Sequence, residues 1–330
     1  MTGDVSDSIF SLENTVSFSE KALSIFKFQA LRNPVYSCFI TSLGRSSGDV
    51  RKIDDIPFLP AGFFRSQRVI VENLPVKTVF ESSRTTGDAP SRHYVHDVKI
   101  YETSFFESFR YFYGDPSEYF IAALLPSYTS RQNSSLVYMM NGLIKKSLNS
   151  NSGFYESNPE DLIRNIQKAR SSGQKTLLLG VSFALLDLAD RFSPDLSGTI
   201  VMETGGMKGR RKEITREELH EMLRKKFNVP VIHSEYGMTE LMSQSYSKGN
   251  GIFFCPPWMK ILIRDPQDPL SITGESDKAG GLNIIDLANI YSCSFIASDD
   301  YGRLNKNGGF EISGRLDNSD IRGCNLMAEN

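Results

Sequence analysis

Residues 176–203 read TLLLGVSFALLDLADRFSPDLSGTIVME, and this stretch decides the fold class. Residues 176–179 form an apolar run of strand length, and residues 183–192 continue with the spacing of a buried helix. Residues 199–203 then return to β-forming side chains. A strand, a helix and a second strand at this spacing are typical of a βαβ unit. The stretch therefore predicts parallel strands with helices packed across both faces of their sheet.

The same alternation continues upstream and downstream of this stretch. Ser157 and Glu160 have the spacing of a capping box, with Pro159 near the first helical position, so a helix is predicted up to about residue 173. Thr215 and Glu218 have the same spacing, and residues 230–234 are predicted as the next strand. The helix opened by Thr215 is predicted to share one apolar face among Leu219, Met222, Leu223 and Phe227.

The ends of the chain have different patterns. After about residue 250 the β-like runs 252–255, 259–263, 282–286 and 310–313 are short and broken by Pro, Gly and Asp, which predicts antiparallel hairpins. Near the N-terminus, an amphipathic stretch at 18–31 precedes IPFLPAGFF at 56–64. We predict a helical cap and pocket wall over 1–75, an α/β body over 76–313 and a hinge-like tail over 314–330.

Composition and charge exclude several classes of protein. The 37 Lys plus Arg against 39 Asp plus Glu leave a net charge of −2, which gives no electrostatic footprint for nucleic acid. No secretory signal or apolar run long enough for a membrane span is seen. The four cysteines are scattered without a CxxC pair, so we expect free thiols in a reducing cytoplasm and no zinc site.

Three polar loops follow predicted strands, which is where open α/β sheets bind ligands. Residues 82–92 follow a strand of the parallel sheet predicted at 76–81 and read SSRTTGDAPSR. Their hydroxyls, their backbone N–H groups and Arg92 would suit a polyphosphate, although a surface turn has the same composition. No GxxxxGK[ST] loop occurs in the chain. Thr204, Gly205 and Gly206 form the predicted turn after the strand at 199–203, and EYGMTE at 235–240 follows the strand at 230–234. In that loop Tyr236 is suited to stack on a base, Thr239 to bind a phosphate and Glu240 to bind Mg²⁺.

These loops resemble the motifs of the adenylate-forming enzymes, a superfamily of acyl-CoA and aryl-CoA synthetases, luciferases and peptide-synthetase adenylation domains. Residues 82–92 resemble its phosphate loop, and YGMTE at 236–240 is similar to its most specific motif. DDYG at 299–302 resembles the ribose-binding segment, and GRLD at 314–317 resembles the hinge motif. The resemblance implies the N-terminal α/β body of these enzymes, with ATP and Mg²⁺ as cofactors.

Within the superfamily the chain most resembles the bacterial acyl-protein synthetases of the LuxE type. The segments that carry this likeness are IPFLPAGFF at 56–64, SRHYV at 91–95 and SDIRGCNLM at 319–327. The resemblance implies that a fatty acid is activated as acyl-AMP and transferred to Cys324. The acyl group would then pass to a partner protein such as a fatty-acid or acyl-CoA reductase. The resemblance does not decide whether the protein forms a homo-oligomer or a hetero-oligomer.

The resemblance assigns roles to individual residues. Catalysis is expected from Cys324, Thr85 and Arg92, and a metal-binding role from Glu240. Nucleotide contacts are expected from the following residues: Ser82, Ser83, Thr86, Gly87, Gly205, Gly206, Tyr236, Gly237, Thr239, Asp300 and Arg315.

The sequence departs from the family pattern in two places, and these leave alternatives. Arg84 stands where the phosphate loop has glycine, so a catalytically weakened adenylate-binding protein is one alternative. The chain ends six residues after Cys324, so we expect the mobile C-terminal domain to be absent, and a CoA ligase-like enzyme lacking it is another. A third is a serine hydrolase, because GVSFA at 180–184 is similar to a nucleophile elbow.

Overall fold

The stretch at 176–203 forms the centre of a six-stranded sheet in the computed structural model, which describes residues 9–10, 17–83, 89–125, 133–205, 214–273 and 278–316. Strand order is β5-β4-β6-β7-β8-β9, and every neighbouring pair is parallel except β8 and β9. The strands are β4 (Tyr119–Leu124), β5 (Gly153–Phe154), β6 (Lys175–Val181), β7 (Thr199–Thr204), β8 (His233–Tyr236) and β9 (Ser245–Ser247). Leu177, Leu178 and Leu179 are fully buried, which stabilises the sheet by about 2 kcal/mol for each side chain.

Five helices connect and cover these strands, as the periodicity predicts. They are α4 (Val98–Tyr113), α5 (Ser135–Lys146), α6 (Pro159–Ser171), α7 (Ser182–Phe192) and α8 (Arg216–Phe227). The capping box of Thr215 and Glu218 is present. The predicted box of Ser157 and Glu160 is wrong, because Asn158 is the N-cap and Pro159 the first helical residue. Met222 is also wrongly placed: it is exposed, while Leu219, Leu223 and Phe227 face the core.

A second sheet is mostly antiparallel and comes largely from the C-terminal part of the chain, which confirms the predicted hairpins. It contains β1 (Leu59–Pro60), β10 (Met259–Arg264), β11 (Ala279–Asp286), β12 (Phe295–Leu304) and β13 (Phe310–Arg315). Strand β12 is central, pairing with β11, β13 and the short β1. Residues 252–255 form no strand, although Phe253 and Phe254 make single β-bridges.

The N-terminal helices pack on the turn that enters β12. The predicted amphipathic stretch forms α1 (Phe18–Arg32), followed by α2 (Pro34–Ser42) and the short α3 (Phe63–Ser66). Gln29 of α1 is fully buried: its Nε2 donates to the carbonyls of Asn289 and Ile290, and its Oε1 accepts from Ser294 N. This amide therefore ties the start of the chain to residues more than 250 positions away.

The phosphate-loop region forms a hairpin of its own, which corrects one prediction. Strands β2 (Thr78–Glu81) and β3 (Arg92–Val95) pair antiparallel in a separate two-stranded sheet. β2 therefore pairs with β3 alone and is not a strand of the parallel sheet. The physical reason is that residues 92–95 form the strand β3, and the backbone groups of β2 make their hydrogen bonds to it.

Within the described ranges, no helix combines the length and apolarity that a bilayer crossing needs.

Candidate active site

A tyrosine–aspartate hydrogen bond joins the two large sheets. Tyr236 ends β8 of the six-stranded sheet, and its hydroxyl donates to Oδ2 of Asp300 on β12 over 2.7 Å. Arg315 lies opposite Asp300 in the β12–β13 ladder, with its Nε 3.7 Å from Asp300 Oδ1. Three residues from three separate motifs therefore meet at one point of the fold.

Burial makes this cluster electrostatically costly. It raises the pKa of Asp300, and the hydroxyl of Tyr236 and the cations Arg315 and Arg216 partly offset that rise. Burial also holds the pKa of Tyr236 far above its ordinary value, and the neighbouring Asp300 raises it further. Tyr236 therefore stays a neutral hydrogen-bond donor at physiological pH.

Aromatic packing fixes the ring of Tyr236. The rings of Phe253 and Phe310 approach it with centroids 6.0 and 5.7 Å away, both in edge-to-face geometry. Phe253 and Phe310 in turn stack on each other and are joined by a β-bridge. The tyrosine is consequently held in a rigid aromatic setting, as a positioned recognition group requires.

Glu240 is buried at the loop that follows Tyr236. Burial raises the pKa of its carboxyl group, while a hydrogen bond from the Ser91 hydroxyl and the charge of Arg65 lower it. Asp299 lies close enough to raise the pKa again, and Arg65 Nη2 is 3.9 Å from Asp299 Oδ2. Two carboxylates, Glu240 and Asp299, thus lie near one cation beside the predicted nucleotide site.

A ring of hydrogen bonds connects the phosphate-loop hairpin to this glutamate. His93 on β3 contacts the Thr239 carbonyl through Nδ1 (2.9 Å) and Asn289 Oδ1 through Nε2 (3.0 Å). Asn289 Nδ2 donates to the Glu240 carbonyl over 2.7 Å, and the Ser91 hydroxyl lowers the pKa of the Glu240 carboxyl group. His93 lies on β3, and Ser91 immediately precedes that strand. The hairpin and the predicted metal-binding carboxylate are therefore held together as one unit.

The other phosphate-loop residues are placed only in part. Ser82 closes the hairpin, with its N donating to Ser91 O and its Oγ accepting from Ser91 N, and Ser83 is half-buried beside it. Arg92 lies on β3, where its Nε pairs with Glu81 Oε1 at 3.1 Å. Its charge is therefore already partnered across the hairpin. Four predicted residues of this loop lie outside the described part of the chain: Arg84, Thr85, Thr86 and Gly87.

The glycine-rich turn after β7 has the backbone conformation that favours glycine. Gly205 has a φ of +68°, and its carbonyl accepts a 2.6 Å hydrogen bond from Ser182 Oγ. Gly206 lies outside the described residues. The same contact disfavours a serine hydrolase, because Ser182 is buried and its hydroxyl already donates to this carbonyl. Glu203 Oε2 lies 3.3 Å from the same hydroxyl, and Glu203 Oε1 lies 3.4 Å from Arg216 Nε and 3.5 Å from His220 Nε2.

Gly237 and Thr239 also lie beside the cluster. A Cβ on Gly237 would stand 2.6 Å from Glu235 Oε1, so a side chain at this position would displace the Glu235 carboxylate. Thr239 is half-buried and offers its carbonyl to His93.

The thiols of the described residues differ in their chemistry. Burial raises the pKa of both Cys255 and Cys293 to about 12, so neither is a ready nucleophile at neutral pH. Cys38 is exposed on α2. Cys324, the predicted acyl acceptor, lies outside the described residues.

Sequence reasoning missed several charged and polar residues near the site. Arg65 and Arg216 act on Glu240 and Asp300 from elements without a nucleotide motif, α3 and α8. Arg216 also donates to the Ile312 carbonyl and lies over the Phe253 ring. His93 belongs to a segment used only for the family likeness. Periodicity carries no signal for such contacts, which arise between residues far apart in the chain.

The donor set near Glu240 fits Mg²⁺ held jointly by protein and phosphates. Within the ranges described, no group of three or more His, Cys, Asp or Glu side chains is arranged to hold a metal by itself. Mg²⁺ is commonly bound by one or two carboxylates together with substrate phosphates and water. Glu240 and Asp299 supply such carboxylates, so the residues present are compatible with a metal that arrives with ATP.

Comparison with solved structures identifies the fold. A 2-hydroxyisobutyryl-CoA ligase in its postadenylation state, in complex with R3-HIB-AMP, matches 90% of this chain with a TM-score of 0.64 and 12% identity. ATP-bound MatB from Rhodopseudomonas palustris matches 73% of this chain with a TM-score of 0.52 and 14% identity. An ATP-bound RpMatB-BxBclM chimera matches 73% of this chain with a TM-score of 0.53 and 15% identity. The chain has the fold of the N-terminal domain of adenylate-forming enzymes.

The similarity has a defined extent. This chain spans 48% of MatB and of the chimera, and 66% of the 2-hydroxyisobutyryl-CoA ligase. No family model matches the sequence, and no curated protein matches it. At 12–15% identity these likenesses establish the fold alone.

Proposed function

We propose that this protein activates a carboxylic acid with ATP and Mg²⁺, forming an acyl-adenylate and releasing pyrophosphate. The observation that carries the proposal is the meeting of Tyr236, Asp300 and Arg315 where the two sheets join. The fold supports the same activity, since two of the similar structures contain bound ATP. The nucleotide would lie with its ribose hydroxyls on Asp300 and its phosphates toward the β2–β3 hairpin.

The chemistry suits a site rich in positioned charge. A carboxylate oxygen attacks the α-phosphorus, the bond to the bridging oxygen breaks, and pyrophosphate leaves with that electron pair. The acid is already ionised at neutral pH, so no general base is needed. The work is to bring two anions together and to stabilise the phosphate charge. Arg315 would do this at the ribose and α-phosphate, and Glu240 would hold Mg²⁺, which would supply positive charge that offsets the charge of the phosphates.

A second step follows from the likeness to acyl-protein synthetases. The Cys324 thiolate would attack the acyl carbonyl, forming a thioester and expelling AMP, with the thiol proton released to solvent. The thioester would then pass its acyl group to a partner protein such as a fatty-acid or acyl-CoA reductase. A long-chain fatty acid is the substrate that the likeness implies. The step needs a reduced thiol, which agrees with a cytoplasmic location.

Pyrophosphate exchange tests the first step. We expect acid-dependent and Mg²⁺-dependent exchange of labelled pyrophosphate into ATP, reduced at least about tenfold by Asp300→Asn, mainly through a higher KM for ATP, because one charge-assisted hydrogen bond is lost. The matched control is Asp195→Asn, an exposed aspartate paired with Arg170. Unaltered exchange in Asp300→Asn would contradict the assignment of the ribose site. Exchange that appears only after Arg84→Gly would instead indicate an adenylate-binding protein without turnover.

Acylation of the protein tests the second step. Labelled acid with ATP should attach through a hydroxylamine-labile bond that is lost in Cys324→Ser, while pyrophosphate exchange survives. Cys38→Ser, which removes an exposed thiol on α2, is the control and should acylate normally. Acylation that persists in Cys324→Ser would refute the role given to that cysteine.

A further inference from the structure

Buried polar atoms without partners concentrate in one layer of the molecule. Within the described ranges, five buried side-chain oxygen atoms have no hydrogen-bond partner, and three of them are Ser108 Oγ, Gln244 Oε1 and Tyr246 OH. All three side chains are at most 4% exposed. Each such atom left unsatisfied costs about 1–3 kcal/mol, so three in one place call for a physical explanation.

The β8–β9 pairing puts two of these atoms on one face of the sheet. Tyr246 is directly opposite Glu235 in the antiparallel register, so their side chains share a face. Gln244 precedes β9, and its side chain lies with that of Glu235 beside the position that a Cβ on Gly237 would take. Tyr236 points to the opposite face, toward Asp300. The layer therefore lies across β8 from the predicted nucleotide contacts.

Helix α4 covers this face and supplies the third atom. The Phe112 ring packs on Tyr246 with centroids 5.3 Å apart, and Ser104 Oγ lies 3.0 Å from Ser243 Oγ beside Gln244. Ser108 follows Ser104 by four residues, which places both on the same side of the helix. The three unpartnered atoms thus belong to the space between α4 and the β8–β9 hairpin.

This layer adjoins the turn of the nucleotide site. A Cβ on Gly237 would lie 2.6 Å from Glu235 Oε1 and 3.5 Å from Gln244 Cγ, so the layer begins at the residue after Tyr236. Glu235 is buried and accepts a hydrogen bond from the Thr204 hydroxyl. Gln244 Oε1 can only accept, which means that its missing partner carries a donor.

We propose that this layer binds a hydrogen-bond-donating group, a hydroxyl or an ammonium, carried near the carboxyl end of the acid that the site activates. The inference rests on the proposed function and narrows its substrate class. A plain alkyl chain would leave all three atoms unsatisfied. Sites built to bond a polar substrate group reject the analogue without it by roughly 10⁴-fold or more, so a preference of at least about 100-fold is expected here.

Pyrophosphate exchange with matched acids tests the inference. The full chain is assayed with butanoate, its β-hydroxy and β-amino analogues, and the same three forms of tetradecanoate, which separates donor type from chain length. We expect exchange to be faster with a donor-bearing acid than with its alkyl partner. Gln244→Leu and Tyr246→Phe should each reduce that preference at least about tenfold. The control Tyr111→Phe, which removes an exposed hydroxyl from α4, should leave the preference unchanged.

The outcomes are distinct. Exchange with alkyl acids alone, or a preference unchanged in Gln244→Leu and Tyr246→Phe, would overturn this inference while leaving the proposed function intact; the layer would then hold buried water only. No exchange with any acid would refute the proposed function and this inference with it. Because the Tyr246 hydroxyl has no protein partner, Tyr246→Phe should unfold at the wild-type urea concentration or higher. A lower midpoint would mean that the hydroxyl is used in the fold and would count against a ligand-binding role.

Discussion

The hydrogen bond from Tyr236 to Asp300 can be removed by deleting one atom, in Tyr236→Phe. The acceptor is a buried carboxyl group, so the bond is worth about 1.5–3 kcal/mol when Asp300 is ionised and about 0.5–1.5 kcal/mol when it is protonated. The variant should therefore lose more stability above the pKa of the folded Asp300 carboxyl than below it.

The sign follows from the pKa of Asp300, which burial raises. As pH increases, the carboxyl of the unfolded chain ionises first, so this group lowers stability until the folded carboxyl ionises as well. The Tyr236 hydroxyl stabilises the ionised form. Without it the pKa rises further, and the pH range over which stability declines becomes wider.

Urea unfolding of the wild type and Tyr236→Phe, at one pH above and one pH below the pKa of Asp300, measures the loss of stability. Trp258, the single tryptophan, is buried and reports unfolding by fluorescence. A double-mutant cycle with Asp300→Ala, which removes the acceptor, isolates the pair, and we expect a coupling of about 1.5 kcal/mol or more where Asp300 is ionised. A coupling below about 0.5 kcal/mol, or equal losses at both pH values, would refute the reasoning.

Three further changes have defined outcomes in the same unfolding assay. Gln29→Leu should reduce the free energy of unfolding by about 2 kcal/mol or more, because it removes the amide that hydrogen-bonds the turn before β12. Lys27→Met on the exposed face of α1 should have little effect, and equal losses in the two variants would contradict this. Gly302→Ala should cost about 1–3 kcal/mol because its Cβ would lie 2.0 Å from the Glu311 carbonyl oxygen, whereas Gly314→Ala meets no atom within 4 Å; a neutral Gly302→Ala would show that the strands can separate. Burial lowers the pKa of His93 to about 4, so this residue should reduce the wild-type free energy of unfolding by about 3 kcal/mol as pH drops from about 6.5 to about 4. His93→Phe should make this pH dependence weaker but not remove it, because the pKa of His233 is also lowered to about 4. An unchanged pH dependence in the variant would contradict the assignment.

The parallel sheet could be predicted from sequence because its signals are local. The runs at 176–179 and 199–203 lie inside β6 and β7, and the capping box at Thr215 and Glu218 opens α8. The bounds of one strand were less accurate. The strand predicted at 230–234 is β8 at His233–Tyr236, because pairing with β7 begins only at His233. The strand β4 was overlooked, although its six buried residues YFIAAL are an apolar run of strand length.

The site was predictable only where a motif marks it. Tyr236, Asp300 and Arg315 come from three separate motifs, and the structure brings them together. The partners that shape their electrostatics, Arg65 and Arg216, carry no motif and act through long-range packing. The antiparallel course of β2 and β3 was also hidden, since a single apolar run does not reveal its pairing partner.

The central claim is that a carboxylate oxygen of the acid attacks the α-phosphorus of ATP. Incubating the protein with ATP, Mg²⁺ and an acid carrying heavy oxygen in its carboxyl group, with hydroxylamine to trap the acyl product, tests this directly by mass spectrometry of the nucleotide. The bridging oxygen stays with the phosphate when the acyl group leaves, so we predict AMP that contains one heavy oxygen atom, together with pyrophosphate. Unlabelled AMP, or ADP as the nucleotide product, would contradict the account.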